Sequence, residues 1–151
     1  MVNNLVTQNT KLAMRSLTNK TVIVTGGAGY VGSILIRRLL QEHYRVICMD
    51  NLLFGGSALM DIWDHPNFTF EKVDITDYPK VDQIIDDIPD CYGIVHLAAI
   101  VGDPACRLEP ELTRKTNLDS SIHLLKKAIE NFDFKINMRL QKKKKQFWKK
   151  H

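Results

Sequence analysis

The 151-residue chain has no tyrosine after Tyr92, no acidic residue before Glu42 or after Asp133, and no apolar run of membrane-spanning length. Each absence excludes something. A helix crossing a bilayer needs about 20 consecutive apolar residues, so no such span is expected. Residues 1 to 19 lack the apolar centre of a secretory signal. They are expected to form a disordered leader, and Lys11 and Arg15 without an acidic neighbour also fit an organellar address. Cysteine is scarce, and Cys48, Cys91 and Cys106 show no CxxC spacing. An odd, unpatterned set reads as the reduced thiols of a cytoplasmic protein. His43, His65, His96, His123 and His151 form no HxxxH pair and no cluster with cysteine, so no metal site is expected.

What is present fits one domain, because 44% hydrophobic content in 151 residues supports a single core and is too little chain for two. The net charge of +4 conceals two unlike regions. Eight of the 21 basic residues lie between Lys135 and His151, where there is no Asp or Glu; the rest of the chain holds all 17 acidic residues and is net negative. Residues 133–151 are expected to be a basic, disordered tail. Lys142 to Lys145 with Phe147 and Trp148 interleave charge and aromatics as some nucleic-acid-binding segments do. A charge run is more often a solvated tail, so nucleic acid is not the expected partner.

The strongest signal is Thr25-Gly26-Gly27-Ala28-Gly29-Tyr30-Val31-Gly32, which follows the β-branched run Thr21 to Val24 and opens a helical pattern with Val31, Ile34, Leu35, Leu39 and Leu40 on one stripe. Glycines in a strand-to-helix turn let a diphosphate approach the backbone, and the free N–H groups of the helix start face it. Such a site also needs an acidic residue about 20 positions on, at the end of the next strand, for the ribose hydroxyls. Arg45 to Asp50 supplies that strand and that residue. A carboxylate there with no arginine directly after it favours NAD over NADP, whose 2′-phosphate it would repel.

Further along, Phe68 to Asp74 reads as a third strand, and Asp77 caps a helix with Pro79 in its first turn and Val81, Ile84, Ile85 and Ile88 as its apolar stripe. Ala58 to Trp63 reads as a short helix, Gly93 to Ala99 as a fourth strand apolar enough to lie inside a sheet, and Ile100 to Arg107 as a loop. A helix from Pro110 to about Phe132 carries Leu118, Ile122, Leu125 and Ile129 on one face. Strands alternating with helices predict an α/β, Rossmann-type parallel sheet of about four strands, order 3-2-1-4, spanning residues 20–132 with helices on both faces. Ligands of such sheets sit at the carboxyl ends of the strands. The glycine turn, Asp50, Asp74 and Ala98-Ala99 all fall there.

With these residues in view the chain resembles the extended short-chain dehydrogenase/reductase family, and within it the NAD-dependent epimerase/dehydratases of nucleotide sugars, over about residues 20 to 131. Residues 25 to 32 match its TGxxGxxG, Asp50-Asn51 its ribose-binding pair, Asp74-Ile75 the pair beside the adenine, and His96-Leu97-Ala98-Ala99 its strand-end segment. The resemblance implies NAD as cofactor and a nucleotide sugar as substrate. It implies that Gly26, Gly29, Tyr30, Val31 and Gly32 line the pyrophosphate, that Asp50 and Asn51 hold the ribose, and that Asp74 and Ile75 meet the adenine. Leu97, Ala98 and Ala99 would contact the nicotinamide side, and Asn117 would brace the site from the following helix. His96 is read as structural, bonded to backbone, and the loop from Val101 to Pro104 would face nicotinamide and sugar.

The family's acid/base pair is a Tyr with a Lys four positions later. Here the position four after each tyrosine holds Ile34, Cys48, Asp82 or His96, so no YxxxK exists. The family pattern lapses near residue 132, and the expectation is a frameshift or truncation before the fifth strand of a longer enzyme. The competing expectation is a non-catalytic dinucleotide-binding or regulatory protein that self-associates through its open sheet edge or pairs with a full-length relative.

Overall fold

A computed structural model of the chain describes residues 20–88 and 91–131. The expected leader and basic tail lie outside the described residues.

Strand β1 (Thr21–Thr25) is buried along its whole length. Its apolar run is explained by parallel neighbours on both sides, β2 (Arg45–Asp50) and β4 (Cys91–His96), with β3 (Phe68–Lys72) beyond β2. The order is β3-β2-β1-β4, as the alternating pattern predicts. Val22 and Val24 point into one core cluster with Ile36, Leu40, Val46, Cys48, Leu59 and Phe68. Ile23 points into the other, with Met49, Val73, Ile75, Val81, Ile85 and Leu124. Period-two alternation thus feeds two cores, one on each sheet face. Register sets Thr25 beside Met49 and His96, so three strands end level with one another.

Helix α1 (Tyr30–Gln41) covers the first face, but its buried side is Gly32, Ser33, Ile36 and Leu40. Val31 and Ile34, expected in the buried stripe, are 60% and 54% exposed. Small residues win this face because they let the helix start press against the glycine turn. Residues Ser57–Ile62 form a 3-10 turn whose Leu59 is fully buried. Helix α2 (Tyr78–Asp86) covers the second face with Val81 and Ile85; Asp77 caps it by accepting from the Lys80 N–H at 3.5 Å.

Four boundaries differ from expectation. β3 stops at Lys72, leaving Val73 and Asp74 beyond the ladder. β4 begins at Cys91 and ends at His96, since the N–H of Leu97 bonds back to Thr25 and turns the chain over the end of β1. Tyr92 is exposed and its other residues are half-buried, so it is not enclosed as an interior strand. The expected loop 100–107 gives way at Asp103 to helix α3 (Asp103–Leu108).

The helix from Pro110 is three pieces: α4 (Pro110–Arg114), a π-helical turn (Lys115–Asp119) and α5 (Ser120–Asn131). Its Leu118, Ile122, Leu125 and Ile129 face is 44–62% exposed, while Ser120 and Leu124 are buried. The π turn inserts an extra residue and rotates the helical phase, and polar links to α2 set the contact instead. His123 Nε2 lies 2.8 Å from Asp82 Oδ1, the His123 ring stacks on Tyr78 at 4.3 Å between centroids, and Lys127 Nζ donates to Asp86 at 2.8 Å.

Candidate functional site

The carboxyl ends of the strands enclose a crevice of about 520 Å³. Gly26, Gly29, Tyr30, Val31, Gly32, Asp50, Asn51, Asp74, Ile75, Leu97, Ala98 and Ala99 all line it. Asn117 is the one expected cofactor residue outside the lining, and of the loop from Val101 to Pro104, Val101 lines it and Gly102 and Pro104 do not.

The floor is the glycine turn. Gly26 sits at φ +68°, and a Cβ there would stand 2.6 Å from the Ala98 nitrogen. A Cβ on Gly32 would stand 2.4 Å from the Gly26 carbonyl oxygen. Both positions therefore keep helix, turn and β4 exit in contact. No side chain caps α1 at Gly29, which leaves the first N–H groups of the helix open toward the crevice.

Asp50 ties two loops together. Its Oδ2 accepts from the Ala28 N–H at 3.0 Å and its Oδ1 from the Leu52 N–H at 2.8 Å. Each carboxylate oxygen keeps a lone pair for a ligand hydroxyl. Asp74 is organised similarly: Oδ1 accepts from the Thr76 N–H and hydroxyl at 2.9 and 2.7 Å, and Oδ2 from Asn51 Nδ2 at 3.2 Å. Burial alone would raise its pKa, but the Thr76 and Asn51 hydrogen bonds and the Lys115 charge outweigh it and hold Asp74 below the ordinary carboxylate value.

The wall beyond Asn51 is braced from α1. Arg37 Nε donates to Asp61 Oδ2 at 3.1 Å, its Nη1 to the Ser33 carbonyl and its Nη2 to the Ala58 carbonyl, both at 2.7 Å. This clamp fixes the 3-10 turn that follows Leu53, Phe54 and Gly55, three lining residues with no sequence signal of their own. Cys48, directly beneath, is inert: burial, then the nearby Asp50 charge, pushes its thiol up to about 12.

Across the crevice, the π turn aims Asn117 at the segment after β4. Its Oδ1 accepts from the Ile100 N–H at 2.8 Å and its Nδ2 donates to the Ile100 carbonyl at 2.7 Å. Asn117 thus acts on the crevice through Ile100 and Val101, which line it.

His96 bonds to a side chain, where backbone was expected. Thr25 Oγ1 accepts from the N–H groups of Leu97 and Ala98 at 3.2 and 3.3 Å and lies 2.6 Å from His96 Nδ1. With its lone pairs so used, the hydroxyl donates to Nδ1, which fixes neutral His96 as the Nε2–H tautomer. Burial lowers the His96 pKa below its ordinary 6.5. A base with a depressed folded pKa gives stability that is complete above the unfolded value and lost as pH falls through the folded one. The expected melting temperature is flat above about pH 7 and declines from about pH 6.5 downward, and His96→Asn, which keeps an acceptor, removes the step in a thermal scan between pH 5 and 8.

Comparison with known proteins agrees with this fold. The family model described as the NAD dependent epimerase/dehydratase family matches residues 22–138. A dTDP-glucose 4,6-dehydratase of Neisseria gonorrhoeae is 38% identical over 57% of this chain and 25% of its own length. The UDP-glucose 4-epimerase of Thermotoga maritima, solved with UDP-glucose, superposes with a TM-score of 0.66 at 32% identity over 74% of this chain and 34% of that one. A Bordetella bronchiseptica enzyme solved with NAD and UDP gives 0.62 at 27% identity over 73% and 34%. The chain therefore spans about a quarter of the length of such a curated relative and about a third of these solved chains. On the extent of the family match and the crevice built by its motif residues, this chain belongs to the NAD-dependent epimerase/dehydratase family.

Proposed function

We propose that this chain is the NAD-binding portion of a nucleotide-sugar epimerase/dehydratase-like protein. The observation that carries the reading is that the glycine turn, Asp50 and Asp74 open into one crevice with unused acceptors and helix N–H groups facing it. The glycine turn with Tyr30 and Val31 receives the pyrophosphate, since only a turn free of side chains lets it approach. Asp50 accepts the adenosine ribose hydroxyls beside Asn51. Asp74, kept ionised, accepts the adenine amino group beside Ile75. Leu97 to Ala99 border the nicotinamide half, and Asn117 positions them through Ile100. The chemistry that bound NAD would supply here is the acceptance and return of a hydride at a sugar carbon.

The proton transfer that accompanies hydride transfer needs a Tyr/Lys pair that this chain lacks. Binding and chemistry therefore separate. At NAD concentrations about 100 times Kd the melting temperature is expected to rise by roughly 10 °C, from about 2.7 kcal/mol of linkage, with no turnover of UDP- or dTDP-sugars by the same sample. An unchanged melting temperature at millimolar NAD would overturn the binding assignment. Three cysteines without CxxC spacing fit a reducing compartment, and on that ground we place the protein in the cytoplasm.

A further inference from the structure

Beside its two acidic residues the crevice wall carries an exposed apolar pair. Leu53 and Phe54 line the crevice together with Asp50, Asn51 and Asp74, and they are 67% and 90% exposed. The core clusters on the two sheet faces include neither of them. A single exposed apolar side chain needs no explanation, but two in succession on the wall of a ligand crevice are surface that an occupant can bury.

The loop that displays them is tied down. Leu52 stands at φ +61°, a left-handed conformation that a side chain makes costly, and Gly55 stands at φ +84°. The Leu52 N–H donates to Asp50 Oδ1 at 2.8 Å, the Leu53 N–H to Asn51 Oδ1 at 3.0 Å and the Gly55 N–H to the Leu52 carbonyl at 2.9 Å. Strain of this kind persists only where the surroundings over-determine it, and it concentrates at ligand clamps. Asn51 also fixes where the pair stands. While its Oδ1 holds the Leu53 N–H, its Nδ2 donates to Asp74 Oδ2 at 3.2 Å, so the loop carrying Phe54 is one side chain away from that carboxylate.

An occupant of this corner must offer a polar edge to Asp74 and an apolar face to Phe54 at the same time. A phosphate has no apolar face, and a ribose is ringed by hydroxyls. A purine carries its polar atoms around its rim and presents a π face on which an aromatic ring can stack. We propose that Phe54 is the stacking platform for the adenine of the dinucleotide, with Leu53 extending it, so that the base is held by its face as well as by its amino edge. The proposal rests on the reading of the crevice as an NAD site. It adds to that site a residue outside every motif, since Leu53 and Phe54 belong neither to the glycine turn nor to the Asp50-Asn51 and Asp74-Ile75 pairs. Because the loop is pinned in advance, stacking carries little ordering cost.

Calorimetric titration of NAD and of ADP into the full chain is the test. Phe54→Ala is expected to weaken both ligands by about tenfold or more, and by the same factor, because both carry the same base. Phe54→Leu, which keeps apolar area without a ring, falls between the two, and Phe54→Trp binds at least as tightly as wild type. With the side chain 90% exposed, Phe54→Ala is expected to move the melting temperature of the unliganded protein by about 3 °C or less, so a loss of affinity is not a loss of fold. NMR supplies the signature of stacking. The adenine H2 and H8 resonances of bound ADP move upfield on wild type through the ring current of Phe54, and less on Phe54→Leu. ADP affinities that agree within about twofold between wild type and Phe54→Ala would overturn the proposal and leave the NAD site standing. Adenine resonances that move equally on wild type and Phe54→Leu would do the same. Failure of the wild-type chain to bind either ligand would overturn both.

Discussion

Gly26→Ala is expected to lower the melting temperature by about 10 °C, the larger share of it steric. Two costs act together at this position. A left-handed φ of +68° penalises any Cβ by about 1–2 kcal/mol. The Cβ would also stand 2.6 Å from the Ala98 nitrogen and 2.8 Å from the Leu97 carbonyl carbon, which are backbone atoms. Those atoms cannot yield cheaply, because Leu97 and Ala98 are held by N–H bonds to Thr25. Forcing them apart adds an overpacking cost of about 1–3 kcal/mol. Gly55 supplies the control: its φ is +84°, but nothing lies within 4 Å of its Cβ position. Gly55→Ala therefore carries the backbone cost alone and is expected to cost less than half the Gly26→Ala shift in the same thermal scan. Equal shifts would mean that the β4 exit moves freely, and that Gly26 is required for its φ alone.

The same contrast marks what could be read from the sequence. β1, β2 and the sheet order were legible because buried parallel strands are written as continuous apolar runs and their ends as glycine or aspartate. Asp50, Asp74 and the glycine turn were legible because their spacing follows from the fold. The rotation of α1 was not. Hydropathy assigned Val31 and Ile34 to the buried side, but the tight approach of Gly32 to Gly26 sets the helix phase, and a contact between backbones leaves no apolar signal. The exposed face of α5 was hidden for a related reason, since the π turn shifts the phase after Arg114. Leu53, Phe54 and Gly55 entered the crevice through the Arg37 clamp, which joins residues more than 20 positions apart. The hydroxyl of Thr25 looked like a strand residue and is the junction that holds β1 to the β4 exit.

Asp50→Ala is expected to raise the Kd for NAD by roughly 100-fold or more, since two hydrogen bonds from ribose hydroxyls to a charged acceptor contribute about 1.5–3 kcal/mol each. The substitution has a second effect that must be separated from the first. Asp50 also accepts from the N–H groups of Ala28 and Leu52, so its loss loosens the glycine turn, the proposed seat of the pyrophosphate. A chemical double-mutant cycle divides the two. In the wild-type protein, an NAD analogue lacking the adenosine 2′-hydroxyl is expected to bind about tenfold more weakly than NAD, as the loss of one such bond predicts. In Asp50→Ala the two ligands are expected to bind alike, because the hydroxyl no longer has its acceptor, while any remaining weakness common to both measures the loosened turn. The carboxylate also opposes a 2′-phosphate, so NADP should bind the wild-type chain less tightly than NAD and the gap should narrow in the variant. If the analogue and NAD differ as much in Asp50→Ala as in wild type, the ribose does not lie against Asp50, and the residue serves the glycine turn alone.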